Sequence, residues 1–447
     1  MRPEPARNKA SAGAMIRRQV EKIVSSEPFA RSERMRRFLQ YVVEKKLDGE
    51  AESLKEYSIA LNVYDKTAAF DPRLDPIIRV EAGRLRTKLR EYYDTHGFDD
   101  PIVISLPKRS YKPQWRFAAA APAKTTGRST TESNAQRLYL KGRHYWNKQN
   151  PAALAKAMEC FNAAITEKPD FALALAGLGD CYATLAWLES MAPAEAWPRA
   201  IETAQGSLHI NSRLAQAHTT VGCEKALHQF SWQEAENSFR DAISMDDRYA
   251  TAHHWHGMFC LAPQRRLEEA FAELKEAHEL DPASAIISCH LARILYFRRR
   301  YDEAISQLHH SIKLDPTLHL AYWHLGFVYA QVSEPDRATA AFAEAYELSD
   351  DPMTVSGLGY IYAVVGNRAR VDEARARLDE FGHSRYVSPI DLALVDVASG
   401  NLDLSFKQLQ RAINERAPRV VHLKVEPVFD SIKTDNRFLD LLKNLNV

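Results

Sequence analysis

A 34-residue internal period constrains this chain more than any other feature. Ala270, Ala304 and Ala338 are each 34 residues apart, as are Asp281 and Asp315, and Leu291 and Leu325. A period of this length describes a pair of short helices that cannot bury its apolar face alone and must stack on its neighbours. The second helix of each pair carries an alanine, a large apolar residue four later, a small residue at +7 and usually an aliphatic one at +8. This pattern recurs as Ala157/Phe161/Ala164/Ile165, Ala235/Phe239/Ala242/Ile243, Ala304/Leu308/Ser311/Ile312 and Ala338/Phe342/Ala345/Tyr346. The first helix carries a small residue where helices cross and an aromatic or cysteine three later, as in Gly179/Tyr182, Gly257/Cys260 and Gly326/Tyr329. Small residues allow close approach of paired helices, and Pro169, Pro282 and Pro316 end the second helices of their repeats.

These signatures resemble tetratricopeptide repeats over residues 135 to 415, strongly in the middle repeats and weakly around 185 to 200 and 365 to 390. The resemblance implies an all-α solenoid with a concave binding surface. Its register directs His254, Trp255, Met258, His290, Arg293, Tyr296, Trp323, His324 and Phe327 toward that groove. Aromatic, Met and Arg side chains favour binding hot spots, so a protein or peptide is the expected partner there. Residues 426–447, with Val428, Phe429, Phe438, Leu439, Leu441 and Leu442, read as an amphipathic cap that hides the apolar face of the last repeat.

The N-terminal part has a different signal. Residues 76 to 93 place Ile78, Ala82, Leu85, Leu89 and Tyr92 on one helical stripe. The opposite face carries Arg79, Val80, Gly83, Arg84, Thr87 and Arg90, with Arg86 and Lys88 on its flanks. Long cations separated by short residues suit a helix that enters a DNA major groove, where guanidinium groups meet phosphates and guanine edges while the backbone approaches closely. After a loop, Ile102–Leu106 and Tyr111–Trp115 read as two strands around a basic tip, Pro107–Ser110.

A helix followed by such a hairpin resembles the winged helix-turn-helix output domain of OmpR/PhoB-type response regulators. Val80, Arg84, Leu85, Arg86, Lys88, Leu89 and Tyr111 occupy places that match its recognition-helix and wing motifs. Covering residues 15 to 117, the resemblance implies a three-helix core plus a β-hairpin wing. It makes Phe38, Leu39, Tyr41, Val42 and Val43 core residues and puts the helix before the recognition helix at Leu54–Ala60. Arg84 and Thr87 are then expected at base edges, with Gly83 permitting close approach. Arg79, Lys88 and Arg90 are expected on phosphates, and Lys108 and Arg109 in the adjacent groove. Lys108 and Ser110 stand where the family's wing usually has glycines. Nothing ahead of position 15 could supply the family's phosphate-accepting receiver, so control by aspartyl phosphorylation within the chain is not expected. Regulators of this kind often bind paired half-sites as dimers, which adds a homodimer to the expected assemblies.

Charge follows the same division. Residues 1 to 117 hold 24 Lys+Arg against 17 Asp+Glu, a net +7, while the remainder holds 35 against 41, a net −6. A basic unit joined to an acidic one is what a DNA-binding domain tethered to a partner-binding domain would show. Residues 118–134, rich in Ala, Thr and Ser without apolar periodicity, read as the linker between them. The expected division is thus a disordered 1–14, a winged helix over 15–117, the linker, a solenoid over 135–425 and a cap over 426–447.

Five cysteines, odd in number and without a Cys-x-x-Cys pair, read as small buried hydrophobes of a reducing compartment. No uncharged apolar run reaches the roughly 20 residues that span a bilayer, so a cytoplasmic protein is expected. Phosphate-binding loop, nucleophile elbow, His-Glu-x-x-His and dinucleotide motifs are all missing, so neither enzymatic activity nor a cofactor is expected. His253 and His256 stand one helical turn apart but make only half a metal site, and no metal is expected. The function these features imply is a DNA-binding transcriptional regulator whose solenoid receives a protein or peptide signal or mediates assembly. The alternative is an interaction scaffold that does not bind DNA and uses its winged helix for protein docking.

Overall fold

The computed structural model describes residues 5–26, 29, 32–67, 70, 77–95, 97, 100–107, 110–117 and 130–446. Two compact units divide between Ser129 and Thr130.

The first unit contains α1 (Pro5–Val24), α2 (Glu33–Leu47), α3 (Glu56–Val63), α4 (Ile77–Thr95), β1 (Ile102–Ser105) and β2 (Gln114–Phe117). The stripe foreseen on α4 is the buried one: Ile78, Ala82, Leu85, Leu89 and Tyr92 lie in a core with Ile16, Val20, Phe38, Leu39, Val42 and Ile59. Helix α1 starts at Pro5, inside the stretch 1–14 expected to be disordered. Ile16, Val20 and Ile23, spaced by four and three, dock it on the core, and its N-terminal turns extend from that anchor.

The two strands pair antiparallel, from Ile102 opposite Phe117 to Ser105 opposite Gln114. The second strand therefore begins three residues later than its pattern suggested. Pro113 has no N–H to give a ladder, and the preceding side chains are used elsewhere. The Tyr111 hydroxyl donates to Glu56 (2.9 Å) and Lys112 bonds Glu52 (2.6 Å). Beside them, Lys46 donates to the Pro113 carbonyl (2.6 Å) and lies 4.3 Å from the Trp115 ring centroid. Asp100 closes the base of the sheet as a buried acceptor for the Tyr92 hydroxyl (2.6 Å), Gln19 and Lys22.

The second unit is a series of helical hairpins, as the period requires. They are α5/α6 (Thr130–Trp146, Pro151–Glu167), α7/α8 (Ala172–Trp187, Pro193–Ile210), α9/α10 (Ala215–Glu224, Trp232–Met245) and α11/α12 (Ala250–Trp255, Leu267–Leu280). The series continues with α13/α14 (Ala285–Phe297, Tyr301–Leu314), α15/α16 (His319–Gln331, Pro335–Leu348), α17/α18 (Pro352–Val364, Arg368–Gly382) and α19/α20 (Pro389–Ala398, Leu402–Asn414). Helices α9 and α11 run on into π-helical turns, Lys225–Gln229 and His256–Leu261. Hairpins also form across the two stretches where the repeat signature is weak.

One backbone device recurs. Each hairpin turn holds a residue at positive φ: Gln149, Glu189, Phe230, Arg265, Arg299, Ser333, Gly366 and Gly400. The left-handed conformation ends the first helix and reverses the chain. Only two of the eight are glycine, which explains why these turns are hard to find in the sequence.

Stacking depends on large residues of second helices meeting glycines of first helices. A methyl group on Gly326 would stand 2.7 Å from the ring of the fully buried Phe342, and one on Gly357 would stand 2.5 Å from the same ring. Gly357→Ala should therefore destabilise the unit by about 1–3 kcal/mol through overpacking. Urea unfolding would measure it, and an unchanged midpoint would contradict this packing account.

Candidate functional site

The outer face of α4 presents Arg79 and Arg84, whose side chains are 53% and 70% exposed. Arg84 pairs with Glu81 one turn earlier (2.7 Å), and Glu81 is held from behind by the Tyr64 hydroxyl (3.3 Å). Arg79 lies 3.5 Å from Glu56 on α3. The guanidinium ends are exposed while the carboxylates are shielded, Glu56 at 23% and Glu81 at 11%, so a polyanion at this face would compete with them for each guanidinium. Gly83 lies between them, and no described atom comes within 4 Å of where its Cβ would be. Lys88 is half-buried on the flank.

Arg86 has a different role from its neighbours. Its Nε donates to the Leu106 carbonyl (3.0 Å), and its Nη2 donates to those of Pro107 (3.0 Å) and Ser110 (3.1 Å). It ties the helix to the loop that joins the strands. The side chains of Thr87, Arg90, Lys108 and Arg109 lie outside the described residues.

In the second unit, the nine residues directed to the groove form one cluster, but it is covered. His254, Trp255, Met258, His290, Arg293, Tyr296, Trp323, His324 and Phe327 are all buried. The C-terminal segment occupies the place a ligand would take, because after α20 the chain turns inward through two 3-10 turns, Pro418–His422 and Pro427–Ile432, before helix α21 (Asn436–Asn444). Tyr296 donates to Glu426 (2.7 Å), and Arg293 lies 3.6 Å from the same carboxylate. His422 donates through Nε2 to the Met258 carbonyl in the π-helical turn (2.9 Å) and stacks on Phe297. Val420, Val421, Leu423 and Phe429 supply the apolar contacts. The segment read as an end cap thus begins earlier, near Pro418, and fills the interior as well as closing the end.

Arg419 is the polar centre of this filling. It bridges Asp391 at the start of α19 (2.6 Å) and Glu189 in the α7–α8 turn, while Ser388 and Ser356 donate to those carboxylates at 2.8 Å each. Burial opposes the Arg419 charge, but the two carboxylates outweigh it and raise its pKa. With two acids on one cation a negative charge is left over, and burial pushes Glu189 and Asp391 above the ordinary carboxylate range.

Four imidazoles surround the same interior. His254 Nε2 is 2.7 Å from His290 Nδ1, and the rings of His290 and His324 are 6.3 Å apart. Burial pushes the pKa of His254 and of His422 down from 6.5 to about 3. Unfolded histidine binds its proton near pH 6.5, so this contribution is complete above that pH and is lost as pH falls toward 3. Going from pH 7 to pH 5 should cost about 2 kcal/mol for each of the two. His253 has the opposite sign: burial works against its charge, but Glu273 (2.6 Å) and the Asp247 carbonyl raise its pKa, and its contribution fades as pH rises. Urea titrations of the full chain at pH 7 and pH 5 would test the balance; equal stabilities would refute the account of neutral buried imidazoles.

The remaining candidates are quickly placed. His253 and His256 both face Glu273, at 2.6 and 3.3 Å, and no group of three metal-ligating side chains occurs among the described residues. All five cysteines are buried and unpaired. No helix among the described residues is long and apolar enough to cross a membrane.

No protein-family model matches this sequence, and no curated protein matches it. Among solved structures the chain is similar to YrrB, a tetratricopeptide protein with an unusual peptide-binding site, at 21% identity over 44% of this chain and 96% of that one, with a TM-score of 0.29. It is similar to a tetratricopeptide protein of Parabacteroides merdae at 15% identity, 60% and 99% coverage, and a TM-score of 0.39. It is also similar to yeast Tom70 at 14% identity, 97% and 89% coverage, and a TM-score of 0.43. Residues 130–414 form stacked helical hairpins, and the 34-residue spacing runs through the middle ones.

Proposed function

We propose that the chain is a cytoplasmic interaction protein that acts by binding and not by catalysis: its repeat unit is a scaffold for a protein partner, and its first unit contacts duplex DNA as a transcriptional regulator. The observation behind the DNA contact is the outer face of α4, where Arg79 and Arg84 project to solvent on either side of Gly83 while Arg86 fastens the strand-joining loop alongside. Cations on a helix face and a tethered two-stranded sheet suit a major-groove helix with a flanking wing. The scaffold reading draws on the stacked hairpins, whose filled interior directs protein partners to the exposed faces.

Titration of the full chain with mixed-sequence duplex at several salt concentrations tests the DNA contact. Affinity should fall as salt rises, with a slope of about −0.9 for each phosphate contacted. A second reading makes the first unit a protein-docking module. It is favoured by the ion pairs of Arg79 with Glu56 and Arg84 with Glu81, which already partly neutralise the basic face. Absence of duplex binding at low salt would select it.

A further inference from the structure

A pocket of 320 Å³ opens between the end of α5, the start of α11 and the α12–α13 turn, and no residue of the C-terminal segment lines it. Its volume falls within the roughly 300–1,000 Å³ of small-ligand sites. The apolar walls are Trp146, Trp255 and Ile286, the two indole centroids 6.3 Å apart.

The polar groups converge from two sides. Arg143 lies 4.1 Å over the Trp146 ring and donates through Nη1 to Asp180 (2.5 Å). Asp180 is itself fixed by Thr220 (2.9 Å) and the Tyr249 hydroxyl (3.4 Å). This buried carboxylate orients the guanidinium plane through Nη1. Arg248 stands at the exposed edge of the pocket. His254 also lines it; the residue is 3% exposed, its Nε2 is engaged by His290, and its Nδ1 meets no described partner. The pocket therefore presents the imidazole of His254 as well as two guanidinium groups.

We propose that this pocket binds a small carboxylate with a flat apolar body, the carboxylate between Arg143 and Arg248 and the body against Trp146, Trp255 and Ile286. The charge balance selects a monoanion. Asp180 already compensates Arg143, and Asp281 on the α12–α13 turn is a carboxylate of the lining that opposes a doubly charged ligand. The apolar walls give the body its contact area, and the Nδ1 of neutral His254 can hydrogen-bond one polar atom. The same chemistry could come from a free organic acid or from the free C-terminus of a peptide ending in an aromatic residue.

Calorimetric titration of the full chain distinguishes these sources. The probes are phenylacetate, phenylacetamide, and a peptide ending in Gly-Gly-Phe with a free or an amidated terminus. Saturable binding of either acid, with its amide at least about tenfold weaker, supports the site, as expected for loss of one charge-assisted hydrogen bond. Binding of phenylacetate itself indicates that a free acid suffices, whereas binding of the free-acid peptide alone identifies a chain terminus. Arg248→Ala, on an exposed side chain, should weaken binding about tenfold with unchanged thermal unfolding; Arg143→Lys should do the same while keeping a cation for Asp180. Acid and amide binding equally, no binding of either acid at millimolar concentration, or undiminished affinity in Arg248→Ala would overturn the proposal.

Discussion

Replacing Arg419 by methionine is expected to lower the stability of the repeat unit by about 3–5 kcal/mol, because it leaves Glu189 and Asp391 buried without their cation. The side chain is 9% exposed, and its two partners come from the α7–α8 turn and from α19, far apart in the chain. The desolvation cost of those carboxylates is currently offset by Arg419 and by the hydroxyls of Ser388 and Ser356. The triple replacement Glu189→Gln, Asp391→Asn and Arg419→Met should recover most of the loss, since removing a whole buried ionic set is far milder than removing one member. Denaturant titration of the three proteins decides the matter. If the single variant unfolds at the wild-type midpoint, Arg419 is not what holds the C-terminal segment inside the repeats.

The second large effect separates folding from binding in the first unit. Gly83 sits inside a helix, where glycine is about 0.5–1 kcal/mol less favourable than alanine, with no described atom within 4 Å of the Cβ position. Gly83→Ala should therefore leave the unit as stable or slightly more so, while a surface that must approach duplex closely loses affinity. Arg84→Ala should cost about 1–3 kcal/mol of binding and relax preference at one base pair, whereas Lys88→Ala should weaken all sequences alike and reduce the salt slope by about one. Gel-shift titrations beside thermal unfolding give both readouts. Unchanged duplex affinity in Gly83→Ala and Arg84→Ala would remove the α4 face from the DNA-contact proposal.

Much of the fold could be read before any coordinates. The stripe from Ile78 to Tyr92 is the buried side of α4, and the alanines and phenylalanines of the second helices are fully buried where the period puts them. Both are local periodicities, and burial simply selects the apolar side of a helix. The eight hairpin turns are less visible because six use a non-glycine residue at positive φ, which leaves no glycine to mark them in the sequence. The second strand begins later than apolar alternation suggests, because alternation does not register that Tyr111 and Lys112 bond Glu56 and Glu52.

The candidate sites divide in the same way. By itself the sequence determined which residues share a helix face: Arg79 with Gly83 and Arg84 on α4, and His254 with Met258 among the first helices of the repeats. Only the tertiary structure decided that Arg86 turns away to the strand-joining loop and that the inner face of the repeats is covered by residues 418–432. Helical periodicity is set within a few residues of chain, whereas the covering of an inner face depends on contacts such as Tyr296 with Glu426 and Arg419 with Glu189, 130 and 230 residues apart. No spacing rule reaches that far, because those contacts exist only once the stacked repeats have brought their ends together.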